Sequence, residues 1–189
     1  MKLDKIVVAS SNKGKIREIK EIFQNIEIVT MQEAGFVGDI EETGSTFKEN
    51  AEIKAVTVGK ALNCAVLADD SGLCVDALHG APGIYSARFS GEGEKANRKL
   101  LLARLDGICD RAAHFECAVC LYTPDGKTLF GEGRTYGKIL QEEIGTAGFG
   151  YDPLFYSDDL KKSFGIASEE EKNSVSHRFR ALSDLFQKL

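Results

Sequence analysis

The chain has 189 residues, of which 43% are hydrophobic and 28% are charged, and this balance is typical of one soluble globular domain over residues 1–189. The net charge of −5, without a long run of Lys or Arg, argues against a nucleic-acid partner. No apolar run is long enough to cross a bilayer, so a membrane protein is not expected.

The amino-terminal residues lack the apolar region and the small-residue cleavage site of a signal peptide, so we expect a cytoplasmic location. Five cysteines, an odd number scattered through apparent strands, agree with a reducing compartment. Cys117 and Cys120 form a C-x-x-C pair inside an apolar run. Strand residues three apart point to opposite faces, so a shared zinc ion is not expected there.

The first predicted elements are a strand over Lys5–Ser10, a polar turn and a helix with apolar residues on one face. A helix that starts after such a turn presents backbone N–H groups and the positive end of its dipole to an anion. The candidate anion-binding residues are Ser10, Ser11, Asn12, Lys13, Gly14 and Lys15. An ordinary strand-to-helix turn is the alternative interpretation.

A short strand over Glu27–Thr30 is followed by an acidic loop that contains Glu42. Thr46 and Glu49 then form a plausible capping box for a helix that ends near Leu62. Asn50 and Lys54 lie on or beside the apolar stripe of this helix. An inward-pointing lysine needs an anion, although its side chain can also extend to solvent.

The apolar run Ala65–Ala68 predicts a buried strand that ends abruptly in Asp69-Asp70-Ser71-Gly72. Carboxylates at the end of a buried strand suit Mg²⁺, which prefers oxygen ligands. One of them could also accept a proton from a metal-bound water, because the metal lowers the pKa of that water. A solvated turn is the alternative, since Asp and Ser are common in turns.

The carboxyl-terminal half predicts a helix over Lys95–Leu105, a hairpin around Thr123–Lys127 and a further short strand at Lys138–Leu140. The glycines of residues 145–150 would let the backbone approach a ligand closely. Phe149 or Tyr151 would then be free to stack on a flat ring, and a flexible loop anchored by an aromatic residue is the alternative.

A capping box at Ser168 opens a helical turn, and an apolar stripe from Val175 to Leu189 predicts a closing amphipathic helix. Lys172, His177 and Arg178 cluster at its start, off the stripe. A solvated helix cap is one interpretation of these three residues. Binding of an anionic or carbonyl-bearing ligand is the other.

Taken together, four separated blocks resemble the Ham1-like (inosine triphosphatase) family of nucleotide pyrophosphatases. They occur in the order and with the spacing of that family, and they span almost the whole chain. The blocks are Ser10–Glu18, Leu67–Gly91, Gly148–Pro153, and Glu170–Asn173 with Ser176–Arg178.

The resemblance implies an α/β fold with a long central mixed β-sheet flanked by helices, in two lobes with a cleft between them, and usually a homodimer. It also implies Mg²⁺-dependent hydrolysis of deaminated purine nucleoside triphosphates (ITP, dITP, XTP) to the monophosphate and pyrophosphate. A Maf-like pyrophosphatase for other modified nucleotides and a nucleotide sensor without turnover are the alternatives.

The resemblance further implies a role for each matching residue. Asp70 is similar to the family's general base and metal ligand, and Glu42 to its second metal ligand. The matching triphosphate contacts are Ser10, Asn12, Lys15, Lys54 and Ser71, and Phe149 matches the residue that stacks on the base. Residues expected around the purine and sugar are Asp152, Lys172, His177 and Arg178, and we include Ser11, Lys13, Gly14, Gly150 and Tyr151 among the substrate-binding candidates.

Overall fold

The computed structural model describes residues 4–23 and 25–189. Seven strands of the described chain form one sheet: β1 (Lys5–Val8), β2 (Glu27–Thr30), β3 (Val66–Val75), β4 (Ala112–Tyr122), β5 (Thr128–Ile139), β6 (Phe155–Ser157) and β7 (Lys162–Ser163). Their order is β2-β1-β3-β4-β5-β6-β7. β1 is parallel to β2 and β3, whereas β6 is antiparallel to β5 and β7. The expected α/β fold with a mixed sheet is therefore confirmed.

Helices of the described chain lie between these strands and after them. They are α1 (Lys13–Ile22), α2 (Phe47–Leu62), α3 (Glu94–Arg104), α4 (Glu169–Val175) and α5 (His177–Phe186). Asn12, Thr46 and Ser168 cap α1, α2 and α4 by accepting hydrogen bonds from first-turn N–H groups, as such side chains do. In the part of the chain that is described, no helix combines the length and the apolar character that a bilayer requires.

The chain divides into two compact units. The first comprises the described residues up to Asp70, together with Cys117–Gly133 and Arg180–Leu189. Successive β1 residues enter two different buried clusters, because neighbouring side chains of a strand point to opposite faces of the sheet. Cys117 and Cys120 likewise lie in different clusters, which confirms that they point to opposite faces.

The second unit comprises Ser71–Glu116 and Arg134–Phe179. Its buried cluster is aromatic: Phe115 of β4 contacts Phe155 of β6, with ring centroids 4.7 Å apart. Leu73 and Val75 supply the same cluster from β3. β3, β4 and β5 each contribute residues to both units.

Three predicted boundaries are wrong. β3 does not end before Asp69 but continues to Val75. The glycines after Phe130 do not interrupt β5, which runs to Ile139, so the separate strand predicted at Lys138–Leu140 is part of β5. The closing helix begins at His177 and not at Val175, because Ser176 has extended dihedral angles and separates α4 from α5.

Candidate active site

Asp69 and Asp70 lie in the interior of β3, in the first unit. Their exposed fractions are 1% and 6%, so the solvated-turn interpretation of this segment is wrong. A buried carboxylate requires a cation or several hydrogen-bond donors, because burial removes its hydration. The structure supplies these partners from α1 and α2.

Lys15, in the first turn of α1, pairs with Asp69, with 3.1 Å between Nζ and Oδ2. Asn12 caps the same turn, and its Oδ1 accepts hydrogen bonds from the N–H groups of Gly14 and Lys15. Two of the backbone N–H groups expected to face an anion are therefore occupied by this cap. Ser11 and Lys13 are exposed, and the N–H of Asn12 donates to Ser10 Oγ.

Lys54 of α2 points inward, as one of the two interpretations of its position required. Its Nζ lies 3.0 Å from Glu42 Oε1 and 3.3 Å from Asp70 Oδ1. Asn50, one helical turn earlier, donates from Nδ2 to Asp70 Oδ2 at 3.2 Å. Its Oδ1 accepts from the N–H of Gly44 at 2.8 Å. α2 therefore holds Asp70 and the Glu42 loop together, and we call Glu42, Asp69, Asp70, Lys15 and Lys54 the acid–lysine cluster.

Burial and the neighbouring charges of opposite sign shift the pKa values of Asp70 and Lys54 in opposite directions. Burial raises the pKa of Asp70, and the neighbouring carboxylates of Glu42 and Asp69 add to the rise, while Lys54 and Lys15 oppose it. Burial lowers the pKa of Lys54, but Asp70, Asp69 and Glu42 outweigh burial and raise it overall. Lys54 is therefore charged at neutral pH, in contact with two carboxylates that share a single cation.

The second unit brings together Phe149, Asp152 and Lys172, which we call the aromatic–lysine cluster. Lys172 Nζ lies 2.6 Å from Asp152 Oδ2 and 4.5 Å from the centroid of the Phe149 ring. The same Asp152 oxygen accepts from the N–H of Phe149. Because the ammonium covers one face of the Phe149 ring, a flat ligand can stack only on the other face.

Tyr151 is buried, and its hydroxyl donates to the carbonyl oxygen of Ser86 at 2.9 Å. Tyr151 is therefore not available to stack on a ligand, and Phe149, which is only half-buried, is the remaining candidate of the two. The carbonyl oxygen of Gly150 accepts a hydrogen bond from Arg98 Nη1 at 2.8 Å. Arg98 of α3 thereby fixes the loop that carries Phe149.

His177 and Arg178 begin α5 and are buried rather than solvated, and Lys172 is buried in α4. The solvated-cap interpretation of these residues is therefore wrong. Arg178 is 1% exposed and donates from Nη2 to Ser71 Oγ at 2.9 Å. The His177 ring stacks on Phe115, with centroids 4.9 Å apart and 15° between the planes.

Sequence reasoning placed Asn50 on or beside the apolar stripe but gave it no role, and it did not identify Arg98. Asn50 is fully buried on the helix face that also carries Lys54, four residues later. A polar residue at that spacing from an inward lysine, both on an apolar stripe, is a signal that could have identified it. Arg98 carried no such signal, because its acceptor, Gly150, is 52 residues away in the chain.

The donor set of the acid–lysine cluster fits a hard divalent cation. Carboxylate oxygens of Glu42 and Asp70 already converge on the ammonium of Lys54 within 3.3 Å. Mg²⁺ favours such oxygen ligands and needs only one or two carboxylates, since it retains water. Glu42 and Asp70 are therefore the residues that would hold it.

The mixed α/β sheet and the buried carboxylates of β3 are those of a nucleotide pyrophosphatase of the expected class. The sequence profile of the Ham1 family matches residues 6–188. The chain belongs to the Ham1 family. A dITP/XTP pyrophosphatase from Listeria monocytogenes serotype 4b (strain F2365) is 46% identical over 189 residues, which cover 97% of this chain and 93% of the relative.

Solved structures of Ham1 proteins agree with this assignment. The Staphylococcus aureus Ham1 protein superposes with a TM-score of 0.87 and 45% identity, over 97% of this chain and 98% of that chain. A HAM1 protein from Coxiella burnetii gives a TM-score of 0.88 and 38% identity, over 99% and 98%.

Proposed function

We propose that this protein hydrolyses deaminated purine nucleoside triphosphates (dITP, ITP and XTP) to the monophosphate and pyrophosphate. The observation that carries the proposal is the convergence of Glu42 and Asp70 on one cationic centre, in a chain of the Ham1 family. The relatives named dITP/XTP pyrophosphatase support the choice of substrate. This activity would remove damaged purines from the nucleotide pool.

Mg²⁺ is the proposed cofactor, with Glu42 and Asp70 as its ligands. When bound, it supplies charge neutralisation for the phosphates and lowers the pKa of coordinated water. Asp70 serves as the general base that accepts a proton from the attacking water. Asn50 orients it by holding Oδ2, which leaves Oδ1 on the side of Lys54.

Lys15 and Lys54 provide positive charge for the triphosphate and for the negative charge that develops on departing pyrophosphate. Both are paired with carboxylates in the structure, so substrate binding exchanges these carboxylate contacts for phosphate contacts. Ser10, Asn12 and Ser71 are the proposed hydroxyl and amide contacts to the phosphates. Catalysis in this scheme depends mainly on positioning and electrostatics.

The purine is proposed to stack on the face of Phe149 opposite Lys172, with Asp152, Lys172, His177 and Arg178 around the base and sugar. Hypoxanthine and xanthine carry a carbonyl oxygen at position 6, which accepts hydrogen bonds from Lys, Arg or His donors. Adenine carries an amino group there, so buried donors would lose their partner, and such a loss discriminates strongly between ligands.

We also propose that the protein is a homodimer, which rests on the resemblance to its family, and that it is cytoplasmic, which its odd number of cysteines supports. Light scattering at several protein concentrations tests the oligomeric state directly. A mass of one chain at all concentrations would contradict the dimer.

The decisive experiment measures pyrophosphate release from dITP, ITP, XTP, ATP and GTP, with and without Mg²⁺. We expect rapid Mg²⁺-dependent release from the deaminated purines and slow release from ATP, whose amino group leaves the donors without a partner. GTP shares the carbonyl at position 6, so its rate tests whether the 2-amino group is also read. The Asp70→Asn variant should lower turnover on the order of 10²- to 10⁴-fold, as expected for loss of a general base. Asp39→Asn is the control, because Asp39 is an exposed carboxylate of the same unit.

Tight nucleotide binding without pyrophosphate release would favour a sensor instead. Release only from other modified nucleotides would favour a Maf-like activity. Full turnover by Asp70→Asn would contradict the assignment of the base.

A further inference from the structure

Three side chains with metal-binding donors lie together in the second unit, and the proposed hydrolysis uses none of them. They are Cys74 of β3 and His114 and Glu116 of β4. One ligand atom from each lies within 4.8 Å of the others. Such a convergence of thiol, imidazole and carboxylate is sufficient to chelate one ion.

The strand pattern explains why these side chains meet. Leu73 and Val75 of β3, and Ala113 and Phe115 of β4, enter the buried cluster of the second unit. Because side chains alternate along a strand, Cys74, His114 and Glu116 point to the opposite face of the sheet. His114 and Glu116 are two residues apart on β4 and therefore lie side by side.

The chemical types of these three donors determine which metal ion the cluster prefers. Thiolate sulfur and imidazole nitrogen favour Zn²⁺ and similar transition metals, whereas Mg²⁺ prefers oxygen ligands alone. This cluster and the acid–lysine cluster therefore differ in the metal that each prefers. Three protein ligands leave a fourth position of a tetrahedral ion for water or another group.

The orientation of His114 supports ligation through one ring nitrogen. Nε2 faces Glu116, 3.6 Å from Oε2, whereas Nδ1 faces Asp76, 4.0 Å from Oδ1. Metal-binding histidines commonly have a carboxylate on the nitrogen that does not bind the metal, which fixes the ring and increases its basicity. The exposed Asp76 side chain lies on that side of the ring, beyond hydrogen-bond distance, and would become a positioning residue by moving closer to Nδ1.

The charges around the cluster are Glu116, Asp76 and one arginine. Arg134 of β5 donates from Nε to Glu116 Oε2 at 2.8 Å, and its side chain is 51% exposed. Tyr136 lies beside the His114 ring, with centroids 5.5 Å apart. A bound divalent cation would replace the arginine as the partner of Glu116, and the exposed arginine side chain has solvent into which to move.

We propose that Cys74, His114 and Glu116 form a binding site for Zn²⁺, or for a chemically similar ion such as Co²⁺, distinct from the site of hydrolysis. The ion joins β3 to β4 through side chains, so it stabilises the folded protein in proportion to its binding.

The test is a titration of metal-free protein with Zn²⁺ in the presence of excess Mg²⁺, which occupies oxygen-only sites. We expect one Zn²⁺ per chain, a rise in the melting temperature, and a thiolate-to-metal charge-transfer band when Co²⁺ is used instead. Cys74→Ala and His114→Ala should each abolish the band and the tight binding. Glu116→Gln should weaken binding about 10-fold or more, as loss of such groups does.

Two controls separate this site from the others. Cys109→Ser changes an exposed cysteine outside the cluster and should leave binding and band unchanged. Asp70→Asn removes the proposed base and should also leave them unchanged, so failure of the proposed hydrolysis does not affect this result.

Unchanged binding in His114→Ala, or loss of the band in Cys109→Ser, would overturn the proposal. His114 is partly exposed, so its variant tests the site even if Cys74→Ala fails to fold.

Discussion

The charged form of Asp70 that the proposed reaction needs is also the form that destabilises the folded protein. Its carboxylate is buried in β3, and burial is the main reason that its pKa is raised. A raised pKa means that the charged form is less favourable in the folded protein than in the unfolded chain. The charge required of a general base therefore lowers the free energy of unfolding.

The sign of this effect predicts a stabilising substitution. Between the ordinary carboxyl pKa and the raised pKa, the folded state binds more protons, so stability falls as pH rises through this window. Above it, the cost of the charge is fully present. Asp70→Asn should therefore be more stable than the parent at pH 7 without metal, because burial of the charge outweighs what Lys54 and Lys15 return.

Urea unfolding at a series of pH values measures this difference. The advantage of Asp70→Asn should vanish at pH values below the carboxyl pKa of the unfolded chain. Asp39→Asn should show no such advantage. A less stable Asp70→Asn protein at pH 7 would mean that the lysine contacts outweigh the cost of burial.

At the scale of elements, the sequence predicted the types of most elements but not how the central one ends. Asp-Asp-Ser-Gly has turn chemistry, so β3 was expected to stop at Asp69. The strand continues beside β4, and Lys15 and Lys54, from two helices, compensate the burial of its carboxylates. These contacts join residues distant in sequence, and local pattern alone contains no information about them.

The predicted start of the closing helix was wrong for a similar reason, since a local pattern did not show where the backbone leaves the helix. An apolar period spanning Val175 to Leu189 fits one helix, yet the extended dihedral angles of Ser176 divide it. The break lets α5 begin at His177 and Arg178, both buried. The four blocks that carry the family resemblance contain the whole aromatic–lysine cluster, but Glu42 and Lys54 of the acid–lysine cluster lie outside them. The contacts that join the residues of each cluster required the structure.

For the substitution Gly59→Ala in α2, helix propensity and side-chain packing predict opposite changes in stability. A Cβ at this position would overlap the ring of Tyr122, which is buried against α2. Helix propensity favours Ala over Gly by about 1 kcal/mol, but overpacking a core costs about 1–3 kcal/mol. Gly59→Ala should therefore destabilise the protein in chemical denaturation.

The matched comparison is Gly59→Ala combined with Tyr122→Leu. Replacing the ring with the smaller leucine should remove most of the stability loss that Gly59→Ala causes. The double variant should therefore be more stable than the sum of the two single effects predicts. A stabilising single substitution would show that the Tyr122 ring can move aside.

At the scale of the whole molecule, three strands contribute residues to both compact units. Loss of either unit removes part of β3, β4 and β5. We therefore expect one cooperative unfolding transition, as for a single domain. Leu121→Ala in the first unit and Leu154→Ala in the second test this, since both leucines are fully buried.

Each leucine substitution should lower the stability by about 2–5 kcal/mol within one shared transition. Leu189→Ala, at an exposed leucine, should change it little. Two separate transitions, each moved by only one of the variants, would contradict the single-domain expectation. Calorimetry together with circular dichroism distinguishes these outcomes.

The position of Lys54 has a practical consequence. In the resting protein one internal ammonium already pairs with both Glu42 and Asp70, so chelators that strip divalent ions do not leave these two acids without a cation. Enzyme purified in EDTA should remain folded and regain full turnover as soon as magnesium is restored. Loss of activity on chelation is then a reversible exchange of one counter-ion for another, not damage to the protein.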